Sequence, residues 1–113
     1  MTAISISTHV LDTARGVPVP GVPVALERLS AGEWLPTDMG RTDADGRIAD
    51  LVPAGQVVPA GRYRIRFDLE GAPEVRDGWY PEVSVVVDLA ADSGHHHVPL
   101  LLAPFGYTTY RGS

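Results

Sequence analysis

The sequence predicts an all-β sandwich, and three observations support this prediction. Apolar residues recur at every second position in several segments of the 113-residue chain, which is the period of a strand with one buried face. Residues that favour turns separate those segments, and no segment shows a helical period. About eight short strands with turns every eight to twelve residues or so are typical of two antiparallel sheets packed face to face.

The first two strands follow from alternation. Ile4 and Ile6 point to one side of the first strand, so His9 points to the other. Residues 12–21 are rich in turn formers and predict a surface loop. Alternation resumes over residues 22–29, which form the second predicted strand.

The middle of the chain predicts three further strands. Residues 33–42 form an edge strand, because Pro36 cannot donate a hydrogen bond to a neighbour. Residues 43–46 read Asp-Ala-Asp-Gly, a tight turn from which Arg47 leads a short strand over residues 47–51. Residues 62–67 alternate again and form the next strand, with Tyr63, Ile65 and Phe67 facing inward.

The last third of the chain predicts one loop and three strands. The loop covers residues 71–81 and contains at most a single helical turn. The strands cover residues 82–88, 95–102 and 107–111, with short turns between them.

Composition excludes several classes of function. The length suits one domain over residues 1–113, and a net charge of −5 with a pI of about 5.1 argues against a nucleic-acid partner. No stretch approaches the ~20 apolar residues of a membrane helix, so we expect no membrane partner. The chain has no cysteine and begins without a secretory signal, and we expect a cytoplasmic protein, in a bacterium.

The three consecutive histidines at positions 95–97 raise the possibility of a metal site. On a strand, His95 and His97 share one face and His96 lies on the other, so at most two of them can bind one ion. His9 could supply a third ligand. Solvated histidines at the start of a strand explain the same pattern, so both interpretations stay open.

A hydrolytic site without a metal is the second possibility. A neutral histidine, His9 or His97, can accept a proton from water near neutral pH, and the guanidinium of Arg47 can stabilise a developing oxyanion. The segment Tyr110-Arg111-Gly112-Ser113 adds a phenol and a second guanidinium. Each of these residues taken alone also has an ordinary structural explanation.

Four segments together resemble the transthyretin-like family, and among its members those that hydrolyse 5-hydroxyisourate in urate degradation. The segments are residues 6–12, 42–47, 95–102 and 107–113. The Tyr-Arg-Gly-Ser ending is the most specific of them, because the hormone carrier of the family lacks it. His96, Ala103 and Thr108 depart from the usual pattern, in which a tyrosine, a serine and a serine stand.

The resemblance implies a sandwich of two four-stranded sheets, assembled as a homotetramer with sites in the channel between dimers. It implies hydrolysis of 5-hydroxyisourate to 2-oxo-4-hydroxy-4-carboxy-5-ureidoimidazoline, with no metal and no cofactor. The implied catalytic residues are His9, Arg47, His97, Tyr110 and Ser113, and the implied substrate-binding residues are His9, Arg47, Tyr110 and Arg111. A carrier of small aromatic ligands without turnover is the alternative.

Overall fold

Nine strands form two sheets in the computed structural model, which describes residues 3–53 and 55–112. The strands are β1 (Ser5–Asp12), β2 (Val17–Pro18), β3 (Pro23–Ser30), β4 (Glu33–Arg41), β5 (Arg47–Ile48), β6 (Gly61–Asp68), β7 (Glu82–Leu89), β8 (His95–Ala103) and β9 (Gly106–Thr109). The described residues contain no α-helix, and thus no helix that could cross a membrane.

The first sheet is built around β1. Strand β8 runs parallel to β1 over its whole length, from the pair Ser5 and His95 to the pair Asp12 and Leu102. Strand β9 forms an antiparallel hairpin with β8. The two-residue strands β2 and β5 both pair antiparallel with β1, on the side away from β8. This sheet therefore has five strands.

The second sheet has the order β4-β3-β6-β7, and all its strands are antiparallel. Strand β4 lies at an edge, as Pro36 predicts. The register between β3 and β4 shifts at this proline, because Leu26 pairs with Asp38 whereas Glu27 pairs with Pro36. Thr37 is the extra residue, so a bulge interrupts the edge next to the proline.

The hydrophobic core lies between the two sheets and consists of the inward-facing residues of each strand. Tyr63, Ile65 and Phe67 of β6 are fully buried, as their alternation predicts. The opposite sheet contributes Ile6, Val10, Val98 and Leu100. Burial of each such side chain stabilises the fold by roughly 1.5–3 kcal/mol. The Tyr63 hydroxyl donates to the carbonyl oxygen of Pro59 at 2.6 Å, so the one phenol in this core has a partner.

The predicted sandwich is confirmed, but the first sheet is mixed and not antiparallel as predicted, because its long strands β1 and β8 run parallel. The short elements also differ from the prediction. The first sheet has five strands instead of four, because Val17 and Pro18 in the predicted loop pair with the end of β1. The strand predicted over residues 47–51 ends at Ile48, because the amide of Leu51 instead bonds the carbonyl oxygen of Ile6 at 2.8 Å. The predicted loop over residues 71–81 contains successive turns and no helix.

The turn at residues 43–46 fixes the start of β5. The Oδ1 atom of Asp43 accepts hydrogen bonds from the amides of Asp45 at 2.9 Å and Arg47 at 3.0 Å. Gly46 has a φ of +74°, and its carbonyl oxygen accepts a bond from the amide of Val10 at 2.8 Å. A Cβ atom on Gly46 would lie 2.6 Å from the carbonyl oxygen of Val10. The turn thus requires glycine both for its backbone and for its contact with β1.

We expect Gly46→Ala to lower the free energy of unfolding by about 3 kcal/mol, since it combines a strained φ with a backbone clash. Gly32→Ala is the matched control, because Gly32 has a φ of +81° and a Cβ there would meet no atom within 4 Å. The control should lose only about 1 kcal/mol. Denaturant unfolding measures both, and equal losses would contradict the role of the close contact.

Candidate active site

The pairing of β1 with β8 brings two histidines to the outward face of the five-stranded sheet. His9 lies on β1, and His97 lies on β8 opposite Ser7. Neighbouring residues Thr8 and Val10 are buried, so His9 points away from the core as predicted. His9 and His97 are thus two positions apart on adjacent strands, roughly 8 Å between Cα atoms from ideal strand spacings.

Strand β5 places Arg47 on the same face. Arg47 pairs directly with His9 across the antiparallel contact of β5 with β1. Directly opposed residues project to the same side of a sheet. The structure therefore arranges Arg47, His9 and His97 in a row across three neighbouring strands. We call these three residues the outward triad.

The turn before β5 holds the ring of His9. The Nε2 atom of His9 lies 2.9 Å from the carbonyl oxygen of Asp45. A carbonyl oxygen only accepts, so Nε2 carries the proton and donates. In the neutral ring, Nδ1 then has a free lone pair. The same turn that requires Gly46 thus fixes the tautomer of His9.

His97 is held in its neutral form at physiological pH. Burial lowers the pKa of His97 below its ordinary value of 6.5, and the positive charge on Arg47 lowers it further, followed by those on His9 and His95. Nδ1 of His97 lies 2.8 Å from Oγ of Ser7, so Nε2 is the nitrogen left for other partners. A neutral, partly buried imidazole next to a fixed cation is suited to act as a general base.

Ser7, Ser5 and His95 also belong to this face. The sequence analysis considered His95 only as a possible metal ligand and assigned no role to the two serines. Oγ of Ser7 lies 2.8 Å from Nε2 of His95, and Oγ of Ser5 lies 2.6 Å from Nδ1 of His95. The strand alternation does place both serines on the side of His9. The alternation does not reveal the partner strand, because no local sequence pattern indicates that β8 lies beside β1.

Gly112 packs against His97. The amide of Gly112 donates to the carbonyl oxygen of His97 at 2.8 Å. A Cβ atom on Gly112 would lie 2.6 Å from Cδ2 of the His97 ring, so only glycine fits at this distance. Ser113, which the sequence analysis assigned to the site, lies outside the described residues.

Tyr110 and Arg111 lie at the neighbouring sheet edge. Both line a cavity of about 320 Å³ between β7 and β8, together with His96 and Val98. Tyr110 is 54% exposed, and His96 is buried on the inner face, opposite His95 and His97 as predicted. A second cavity, of about 200 Å³, lies near Asp12 and Tyr80. Neither of these two cavities is lined by the outward triad. Arg47 is exposed and the two histidines are half-buried, so the triad is open to solvent on the single chain.

The metal interpretation of the histidine run finds no third ligand in the part of the chain that the structure describes. Within residues 3–53 and 55–112, no group of three or more His, Cys, Asp or Glu side chains lies close enough to hold one ion. The hydrogen bonds of His95 and His97 go to serine hydroxyls instead.

Comparison with known proteins identifies the family. The sequence model of the HIUase/Transthyretin family matches residues 6–112. The chain belongs to this family. Among relatives, the 5-hydroxyisourate hydrolase of Salmonella typhimurium is 42% identical over 110 residues, which cover 96% of this chain and 80% of the relative. That of Mus musculus is 42% identical over 112 residues, which cover 96% and 94%.

Solved structures of both functional types in the family resemble this fold. The 5-hydroxyisourate hydrolase of Klebsiella pneumoniae has a TM-score of 0.81 and 33% identity, covering 96% of this chain and 99% of that one. Transthyretin from Sparus aurata has a TM-score of 0.83 and 32% identity, covering 95% of each chain. The backbone alone therefore does not separate the hydrolase from transthyretin.

The lowered pKa of His97 leads to a testable expectation. The ring of His97 should titrate below pH 6.5 in an NMR titration, and Arg47→Gln should raise its pKa because the substitution removes a nearby positive charge. Arg41→Gln, on the remote edge strand β4, is the control and should leave the titration unchanged.

The same shift predicts how stability depends on pH. The folded-state pKa of His97 lies below the unfolded one, so the contribution of its neutral ring is complete above about pH 6.5 and is lost as the pH falls through the folded-state pKa. A midpoint for His97 at or above 6.5 in the wild-type protein would contradict this account of the site.

Proposed function

We propose that this chain is a hydrolase that opens the cyclic amide of 5-hydroxyisourate between N1 and C6. The product is 2-oxo-4-hydroxy-4-carboxy-5-ureidoimidazoline. Relatives that are 42% identical over nearly the whole chain carry the name of this enzyme. The structural observation that supports the proposal most directly is the outward triad, in which burial and the charge of Arg47 keep His97 neutral.

The proposed reaction is general-base hydrolysis. Nε2 of His97 takes a proton from water while the water oxygen bonds to C6. The guanidinium of Arg47 stabilises the oxyanion of the tetrahedral intermediate. When the intermediate collapses, the C6–N1 bond breaks and N1 takes the proton from His97. C6 stays attached to the product as a carboxylic acid, which then loses its remaining proton to water. Acid–base catalysis of this kind contributes about 10²–10⁴ in rate.

His9 and the end of the chain complete the proposed site. The free Nδ1 lone pair of His9, fixed by the bond from Nε2 to Asp45, can accept a hydrogen bond from the attacking water or from a ring N–H of the substrate. Tyr110, Arg111 and Ser113 are proposed to contact the substrate from the side of β9. One water, one base and one cation are sufficient for the reaction, so the proposal includes no metal or cofactor.

The proposed active form is a homotetramer, a dimer of dimers. Strand β7 is a free edge with a continuous eight-residue register to β6 and with neither proline nor bulge, unlike β4. Val86 lies in the middle of this edge and is 53% exposed. Such an edge favours pairing with another strand. The open outward triad supports the same proposal, because a second pair of subunits would supply the missing wall of the site. A cytoplasmic location in a bacterium also stays a prediction.

Activity is tested by generating 5-hydroxyisourate with urate oxidase and following the decay of its ultraviolet absorbance against the spontaneous rate. The wild-type protein should accelerate decay in the presence of a chelator. His97→Asn should lower kcat/KM by a factor of about 10²–10⁴, because it removes the base. Its unfolding transition should be unchanged. The control is Arg76→Asn, which changes a charged residue in the loop after β6 and should retain full activity.

Two outcomes would count against the proposal. A folded tetramer that binds 5-hydroxyisourate without accelerating its decay would favour the carrier alternative, which the similarity to transthyretin supports. Full activity in His97→Asn would remove that ring from the mechanism.

We expect Val86→Asp to dissociate the assembly, because the new carboxylates would face one another across a symmetric edge pair. Met39→Asp is the matched control, since Met39 is 79% exposed on the interrupted edge β4. Sedimentation velocity should give a smaller species for Val86→Asp and the wild-type mass for Met39→Asp. A monomeric wild-type protein would overturn the tetramer.

A further inference from the structure

A continuous hydrogen-bonded chain runs along the outward face from Ser5 to His97. Oγ of Ser5 lies 2.6 Å from Nδ1 of His95, and Nε2 of His95 lies 2.8 Å from Oγ of Ser7. Oγ of Ser7 in turn lies 2.8 Å from Nδ1 of His97. The parallel register aligns Ser5 with His95 and Ser7 with His97, so the sheet itself keeps these four side chains in order. Ser7 is 9% exposed and lies between the two rings.

The single hydroxyl proton of Ser7 limits this chain to two arrangements when both rings are neutral. Ser7 can donate to only one of the two ring nitrogens and must accept from the other. If it donates to His95, then Nδ1 of His97 carries a proton and Nε2 of His97 has the lone pair. If it donates to His97, then Nε2 of His97 carries the proton. The direction of one hydroxyl therefore decides which nitrogen of His97 is basic.

The first arrangement is the one that leaves a base at the site. Nδ1 of His97 is already engaged by Ser7, so a water can only be deprotonated at Nε2. His95 can accept the Ser7 proton at Nε2 because its own proton can reside on Nδ1, which faces the hydroxyl of Ser5. In this hydrogen-bonded series of four side chains, each donor then points in the direction from His97 towards Ser5.

We propose that Ser7 and His95 are positioning residues that hold His97 in its Nδ1–H tautomer, with the lone pair of Nε2 free to accept a proton. This inference rests on the proposed hydrolase function, in which His97 is the general base. Neither residue touches the reacting atoms. Ser7 acts by accepting the Nδ1–H bond, which also orients the ring and stabilises the imidazolium that forms during the reaction. His95 acts by accepting the Ser7 proton and so setting the direction of the chain.

The tautomer is measured by two-bond ¹H–¹⁵N NMR correlation of histidine-labelled protein, without substrate, at a pH where the imidazoles are neutral. We expect wild-type His97 to show a protonated Nδ1 and an unprotonated Nε2. Ser7→Ala should give a mixture of tautomers and lower kcat by about tenfold, with KM within about twofold, because the base is misdirected while substrate contacts remain. Ser7→Thr keeps the hydroxyl and should restore both the tautomer and kcat.

His95→Leu provides a second, independent variant at an exposed position where folding is not at risk. It removes the acceptor for the Ser7 proton, so we expect a shift of His97 towards the Nε2–H tautomer and a fall in kcat. Ser30→Ala is the matched control, because Ser30 lies at the end of β3 in the second sheet, away from the outward face and from the β7 edge. It should change neither readout.

The inference is overturned if wild-type His97 carries its proton on Nε2, or if Ser7→Ala leaves both tautomer and kcat unchanged. Failure of the hydrolase proposal would look different. In that case the wild-type protein would show no turnover, while the NMR spectra would still report whether Ser7 and His95 set the tautomer.

Discussion

The in-register parallel pairing of β1 with β8 is the constraint on which the rest of the site depends. It is the one parallel pair among the strands of the described residues, and it extends over eight residue pairs. Both ends are fixed by backbone bonds, from the amide of Ser5 to the carbonyl oxygen of Gly94 at 3.1 Å and from the amide of Thr13 to that of Leu102 at 2.8 Å. A slip of one residue would turn His9 or His97 towards the core, because side chains alternate between faces.

The inner face of the same two strands makes this register stable. Ile6 and Val10 of β1 and Val98 and Leu100 of β8 are buried between the sheets. A polar residue on this side, Thr8, has its hydroxyl bonded to the carbonyl oxygen of Val98 at 2.7 Å, so it also ties β1 to β8. Core packing thus specifies the pairing, and the outward face carries histidines, serines and Arg47, with the buried hydroxyl of Ser7 hydrogen-bonded to His95 and His97.

A hydrolase and a transthyretin share the backbone of this chain almost equally well. The TM-scores to a hydrolase and to a transthyretin are 0.81 and 0.83, so the two functions use nearly the same backbone. In this chain, burial and neighbouring positive charges together lower the pKa of His97, and the hydroxyl of Ser7 holds its ring. The triad is nonetheless open on the single chain, so the proposed catalysis depends on the proposed assembly as well as on the chain.

The sequence by itself determined the features that depend on local geometry. Alternation placed Tyr63, Ile65 and Phe67 inside, and Pro36 marked an edge. Alternation also placed His96 on the face opposite His95 and His97. Only the tertiary structure decided which strands are neighbours. Pairing between residues about ninety positions apart leaves no local pattern in the sequence, so the contact of Ser7 with both histidines and the packing of Gly112 on His97 were not predicted. The pattern of neighbouring residues determines which segments form strands. The site, in contrast, forms only when strands that are distant in the sequence pack together in the folded protein.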